Sequence, residues 1–248
     1  MERDLAVKWP EEWTGGPFSV NEYTSLASST ALISVVRDSP EWQTVEKEWR
    51  NGHGESGRSF QGELVKVERV QNARAWEAYY SRVLVLAARS KAHFPPGSSL
   101  FRRANEQWMK HGSALTSPLV MLNRFEEGLI CRYSGRGPYG FALHTADDAH
   151  YVDASGNSYS SSSRSSSNHT AETGGNGNNG VLNQMFLVRV AAGEQFEMTS
   201  SNRALVAPPG GCDSVRGLLG GPDFLGTMVY QPDSAYPAYL LTYKKSAK

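Results

Sequence analysis

The second half of the chain carries a succession of apolar, β-prone runs with no helical stretch between them. "QMFLVRVAAGEQFEM" (184–198) is rich in branched and aromatic residues and predicts one strong strand. "GTMVYQ" (226–231) and "AYLLTYKK" (238–245) predict two more. Parallel neighbours need crossover helices, and this region has no segment to supply them. The expectation is therefore antiparallel sheet and an α+β class.

The first half adds helices to this sheet. Ser39 is a capping residue and Pro40 suits a first helical turn, so the spacing predicts a helix over 40–50 that buries Trp42, Val45 and Trp49. "FQGELVKVERV" (60–70) alternates and predicts a strand. Asn72 caps a helix over 72–92 whose stripe holds Trp76, Tyr79, Tyr80, Val83, Leu84 and Leu86. "HFPPGSS" (93–99) ends it. Ser117 and Pro118 open a third helix over 118–126, which Gly128 terminates. "YGFALHTA" (139–146) predicts a short strand.

Two stretches fall outside this pattern. Residues 1–38 carry Trp9, Trp13 and Phe18 without clear periodicity, and are taken as an irregular extension ahead of a domain spanning 39–248. At about 155–180 the chain turns to serine, glycine and asparagine, with Arg164 among the serines. Such a tract has too little apolar surface to order itself, so it is expected to be an inserted loop, either simply solvated or a regulatory or self-modified segment.

Composition limits the function classes. The 25 basic residues balance 25 acidic ones, so no general attraction for nucleic acid or an anionic membrane is expected, although local patches are not excluded. Cys131 and Cys212 have no CxxC partner, which argues against a zinc site or a disulfide framework. No signal peptide or membrane-length apolar run is evident, and the "NHT" sequon at 168–170 is discounted accordingly. An intracellular monomer, nuclear or cytoplasmic, is the expectation.

"GRGPYG" (135–140) matches GxGxxG, with Asp153 at a fitting distance beyond it. A dinucleotide fingerprint must follow a buried strand and open a helix, so that the helix N-terminus meets the pyrophosphate. Here "FALHTADDAHYV" follows, and Pro138 removes a backbone donor. The match is a decoy.

Several segments, in order, carry a family likeness. "VERVQNARAWEAYY" resembles the strand-then-helix lead of PARP-type ADP-ribosyltransferase catalytic domains. "WMKHGS" resembles that family's His-Gly-Ser/Thr strand end. "GLICRYSGRGPYGFALHTADDAHY" resembles its loop and strand, where Tyr-Gly-Lys-Gly-Val-Tyr-Phe-Ala is usual. "QMFLVRVAAGE", "CDSVRG" and "MVYQPDSAYPAYLLTYKK" resemble its later strands, especially in the mono-ADP-ribosylating branch. The likeness covers about 60–245.

The resemblance implies two antiparallel sheets around an NAD cleft with flanking helices. It implies that His111 bonds the nicotinamide-side ribose of NAD. Gly112 would let the backbone reach the carboxamide, and Ser113 would add a hydroxyl. It places His144 where the family's stacking tyrosine stands, and Gly226 where polymerising members carry a glutamate; Asp223 lies three residues earlier. Tyr139, Tyr151 and Tyr159 are the candidate nicotinamide-site tyrosines, with Tyr139 also fitting a packing role beneath the pocket. Without the glutamate, chain elongation is not expected. The implied activity is transfer of single ADP-ribose units from NAD, as co-substrate, to a protein or nucleic-acid acceptor or to the chain itself. The alternative is an inactive domain of the same fold that binds a protein partner, NAD or ADP-ribose.

Overall fold

A computed structural model describes residues 7–13, 30–52, 60–114, 116–123, 136–154, 158–160, 181–220 and 223–245. In chain order the strands are β1 (Ala31–Ser34), β2 (Glu63–Gln71), β3 (Glu106–His111), β4 (Leu143–Ala146), β5 (Tyr159–Ser160), β6 (Leu182–Ala191), β7 (Gln195–Met198), β8 (Ser214–Leu218), β9 (Leu225–Val229) and β10 (Ala235–Lys244). The helices are α1 (Pro40–Arg50), α2 (Ala73–Arg89), α3 (Leu100–Arg103), α4 (Pro118–Asn123) and α5 (Ala149–Ala154).

The class is α+β, as expected, but the sheet arrangement differs from the expected pair. The described strands form one sheet in the order β1-β2-β10-β6-β3-β4-β9-β8-β7, with β5 added to the side of β6. Every pairing is antiparallel except β7 with β8. The two halves join through one residue pair, Lys110 opposite Ala146. That narrow seam makes a single sheet of what the resemblance implied as two.

Local chemistry sets the helices. The Ser39 hydroxyl accepts the Trp42 N–H and starts α1, whose buried face is Trp42, Val45 and Trp49. Asn72 Oδ1 accepts the Ala75 N–H at 2.9 Å and starts α2. Both helices lie on the face of the sheet that carries Tyr236 and Tyr243. Trp76 meets Tyr236 edge-on with ring centroids 5.2 Å apart, and Trp49 sits 5.5 Å from Tyr243. Arg189, on β6, stacks between Trp76 and Phe101 and is paired to Glu106, so its charge is compensated inside the aromatic cluster.

Three expectations are corrected. The run 184–198 is not one strand: Gly193 adopts φ +57°, and the chain turns there between β6 and β7. Part of the expected N-terminal extension belongs to the fold, because Ala31–Ser34 pairs with β2 and Trp13 packs against Trp76 and Tyr236. Within the serine-rich tract, Tyr159–Ser160 pairs with β6, whereas 155–157 and 161–180 lie outside the described residues, as do Phe18, Cys131, Arg164 and helix positions 124–126.

Candidate functional site

β3 is a central strand, and its last residue, His111, lies opposite Phe186 of β6. Gly112 and Ser113 leave the strand half-buried, and the Ser113 hydroxyl accepts the Thr116 N–H at 3.2 Å. His111 is 7% exposed. Its Nδ1 lies 3.0 Å from the backbone oxygen of His144. A carbonyl only accepts, so this bond fixes the proton on Nδ1 and leaves Nε2 as a bare lone pair. Nε2 is buried and has no partner among the described residues. Burial holds the His111 pKa below the usual range, which keeps the ring neutral. The strand end thus presents one buried, unfilled acceptor, fitted to an O–H or N–H donor.

His144 is committed differently. Its Nδ1 donates to Ala142 O at 3.0 Å, and its Nε2 accepts the Tyr139 N–H at 3.4 Å. Its ring lies so close to Gly137 that a Cβ there would stand 2.5 Å from it. Burial, reinforced by neighbouring His111, depresses its pKa to about 4. The ring therefore clamps the turn Gly137–Gly140, whose ends exchange backbone bonds at 3.1 and 3.2 Å. Gly140 closes that turn at φ +77°. Of the "GRGPYG" glycines, Gly137 and Gly140 serve this turn and not a phosphate loop, and Gly135 lies outside the described residues.

The candidate tyrosines are placed apart. Tyr139 is 1% exposed, and its hydroxyl donates to Leu218 O at 3.1 Å. Of its two expected roles, the geometry corresponds to packing beneath β8 and not to a ligand contact. Tyr151 on α5 stacks on Phe224 at 5.5 Å and directs its hydroxyl to Leu219 O. Tyr159 pairs with Gln184, on the same edge of β6 where His111 pairs with Phe186. Strand periodicity puts Tyr159 and His111 on one face, two positions apart. These two are the site residues the fold aligns.

Gly226 stands in β9 between Ala146 and Gly217. A Cβ there would lie 2.3 Å from Thr145 O and 2.5 Å from Leu219 Cδ1. Glycine is required by packing at this position, and a glutamate would have no room for its first carbon. Asp223 is exposed at the approach to β9, with no ion pair among the described residues.

One cluster escaped the sequence reading. Lys110 is fully buried; its Nζ donates to Asn51 O at 2.6 Å and to Asp147 O at 2.8 Å. Burial lowers its pKa to about 8, against the opposing pull of Asp147, Glu48 and Asp148. The Asp147 carboxylate is paired with Arg216, which also donates to Thr227 Oγ1. Lys110 thereby ties the end of α1 to the β4–α5 junction directly beside His111. The alternation in "WMKHG" carries no signal for this, because residues on both faces of the strand end, Met109 and His111 as well as Lys110, are buried.

Among the described residues, no three His, Cys, Asp or Glu side chains are placed to share a metal ion. No helix among the described residues is long and apolar enough to cross a membrane. Compared with models of known protein families, the chain matches none.

Proposed function

We propose that this chain is a PARP-type ADP-ribosyltransferase domain that takes NAD at the end of β3 and transfers single ADP-ribose units to an acceptor. The observation that carries the reading is the buried Nε2 of His111, unpartnered among the described residues. An acceptor left dry costs roughly 1–3 kcal/mol, and a ribose hydroxyl is a donor that would recover it. Gly112 leaves its backbone amide and carbonyl open to a flat carboxamide, and Tyr159 lies on the His111 face.

Cleavage of the nicotinamide–ribose bond passes through an oxocarbenium-like state. In this reading His111 holds the ribose hydroxyl and fixes the sugar's orientation. With Gly226 in the glutamate's place, no carboxylate of β9 activates an acceptor hydroxyl, so transfer relies on the acceptor's own nucleophile. Elongation into polymer is not expected.

A second reading has its own support: His144 spends both ring nitrogens on the 137–142 segment, and Gly226 has no room for a side chain. Both fit an ADP-ribosyltransferase-like domain that binds NAD or ADP-ribose without turnover. The deciding experiment is intact-protein mass after incubation with NAD, beside His111→Ala. One ADP-ribose unit gained by the wild type alone supports transfer. No gain, with NAD binding that His111→Ala removes, supports the binding module. NAD binding unaffected by His111→Ala would defeat both.

A further inference from the structure

The far end of β3 holds a second site with different chemistry. Residues 78–105 contain five basic residues, Arg82, Arg89, Lys91, Arg102 and Arg103, and no acidic one, in a chain whose net charge is zero. The fold gathers four of these around a cleft of about 760 Å³ between the end of α2, α3 and the turn after β6. Asn105, which precedes β3, and Gly193, which follows β6, form its wall. Five residue steps of extended strand separate this end of β3 from His111, roughly 17 Å.

Two acids enter the cleft, and both are already neutralised. Asp213 is held by Arg82 at 3.4 Å and Arg89 at 3.5 Å, and it accepts the Glu194 N–H at 3.1 Å. Glu194 faces Lys91 at 3.5 Å. Arg102 and Arg103 are left over: neither has a carboxylate partner among the described residues, and Arg103 spends one nitrogen on Ala87 O. Arg82 keeps a buried Nε with no acceptor among the described residues. Cationic donors therefore exceed acceptors at this end of the molecule. The remaining lining includes buried Leu86 and half-buried Phe94, an apolar surface beside the arginines.

We propose that this cleft binds a nucleoside diphosphate, with the phosphates on Arg102 and Arg103 and the base against Leu86 and Phe94. The volume lies within the range of small-molecule sites. Two guanidinium groups lining one cleft match two phosphates, Arg102 with its whole fork and Arg103 with the nitrogens it does not spend on Ala87 O. The division into a charged end and an apolar end matches a nucleotide better than a bare anion.

The test uses the full chain carrying His111→Ala, so that binding at the β3 end near His111 does not contribute. ADP, adenosine and inorganic phosphate are titrated by calorimetry. Saturable one-to-one ADP binding is expected, at least tenfold tighter than phosphate or adenosine. Arg102→Ala, at an exposed position, is expected to weaken ADP binding tenfold or more with an unchanged melting temperature. Arg103→Lys, which keeps the charge and loses the fork, is expected to weaken it less. Amide resonances of Gly193 and Gly211 should shift with ADP. No saturable ADP binding, binding indifferent to Arg102→Ala, equal affinity for phosphate alone, or binding of single-stranded oligonucleotide without ADP would each overturn the proposal.

Discussion

At the residue scale, the histidine pair divides one chemistry into two roles. His111 keeps a lone pair free, whereas His144 uses both nitrogens on the turn it follows. Placing at 144 the tyrosine that the resemblance implies there therefore tests the clamp. His144→Tyr puts a longer ring against Gly137 and loses the acceptor for the Tyr139 N–H, so a destabilisation of about 1–3 kcal/mol in urea melts is expected. Retained stability would mean that the turn is not held by this ring. Gly226→Ala brings a methyl to 2.3 Å from Thr145 O and should cost more than about 2 kcal/mol, read by the same melts. The His-Gly pair says little by itself: that β3 ends at His111 is a fact of the fold, and a role for the ring was implied only by the ordered resemblance of several segments. The commitment of His144 was not legible in the sequence, since its partners come from a turn whose geometry depends on Gly140 and Leu205.

At the element scale, capping and periodicity told the truth and continuity misled. Ser39 and Asn72 start the helices where their side chains predict, because a cap is a contact between residues three apart. The apolar run 184–198 looked continuous, and only the left-handed Gly193 divides it; composition does not carry a dihedral angle. The edge strand β1 was hidden for a related reason. "ALIS" is too short to signal by itself and becomes a strand by pairing with β2. Asn72 links these elements: besides capping α2, its Nδ2 donates to Thr30 Oγ1 at 2.9 Å, beside β1. Asn72→Ala should thus lower stability by about 2 kcal/mol and raise amide exchange across Ala31–Ser34. Asn72→Asp keeps the cap and should lose less. Equal losses in the two variants would mean the Thr30 bond governs, and unchanged exchange in β1 would sever the proposed link.

At the scale of the whole molecule, buried titratable groups give the fold a defined pH profile. His144 protonates at about 4 in the fold and at 6.5 when free, so between those values the unfolded chain holds the extra proton. Stability then falls as pH drops from 6.5 to 4, by about 3 kcal/mol from His144, and His111 adds in the same direction. Lys110 gives the mirror case. It deprotonates near 8 when folded and at 10.5 when free, so above pH 8 the unfolded chain again binds more protons and stability rises. The gain would reach about 3 kcal/mol by pH 10.5 if nothing opposed it. Buried tyrosines do oppose it. Tyr230 is pushed up to about 12, and Tyr236, Tyr239 and Tyr243 are raised further by burial, so above 10 the unfolded chain releases protons that the fold keeps. The expected curve climbs from pH 4 to 6.5, runs level to 8, climbs again to about 10 and then descends. Lys110→Met should remove the second climb and leave the first intact, whatever it does to stability at pH 7. Urea melts of both proteins at half-unit intervals from pH 4 to 10 would measure this. A wild-type curve level from 8 to 9.5 would mean that Lys110 keeps its proton in the fold, held by its two carbonyl partners more strongly than burial expels it.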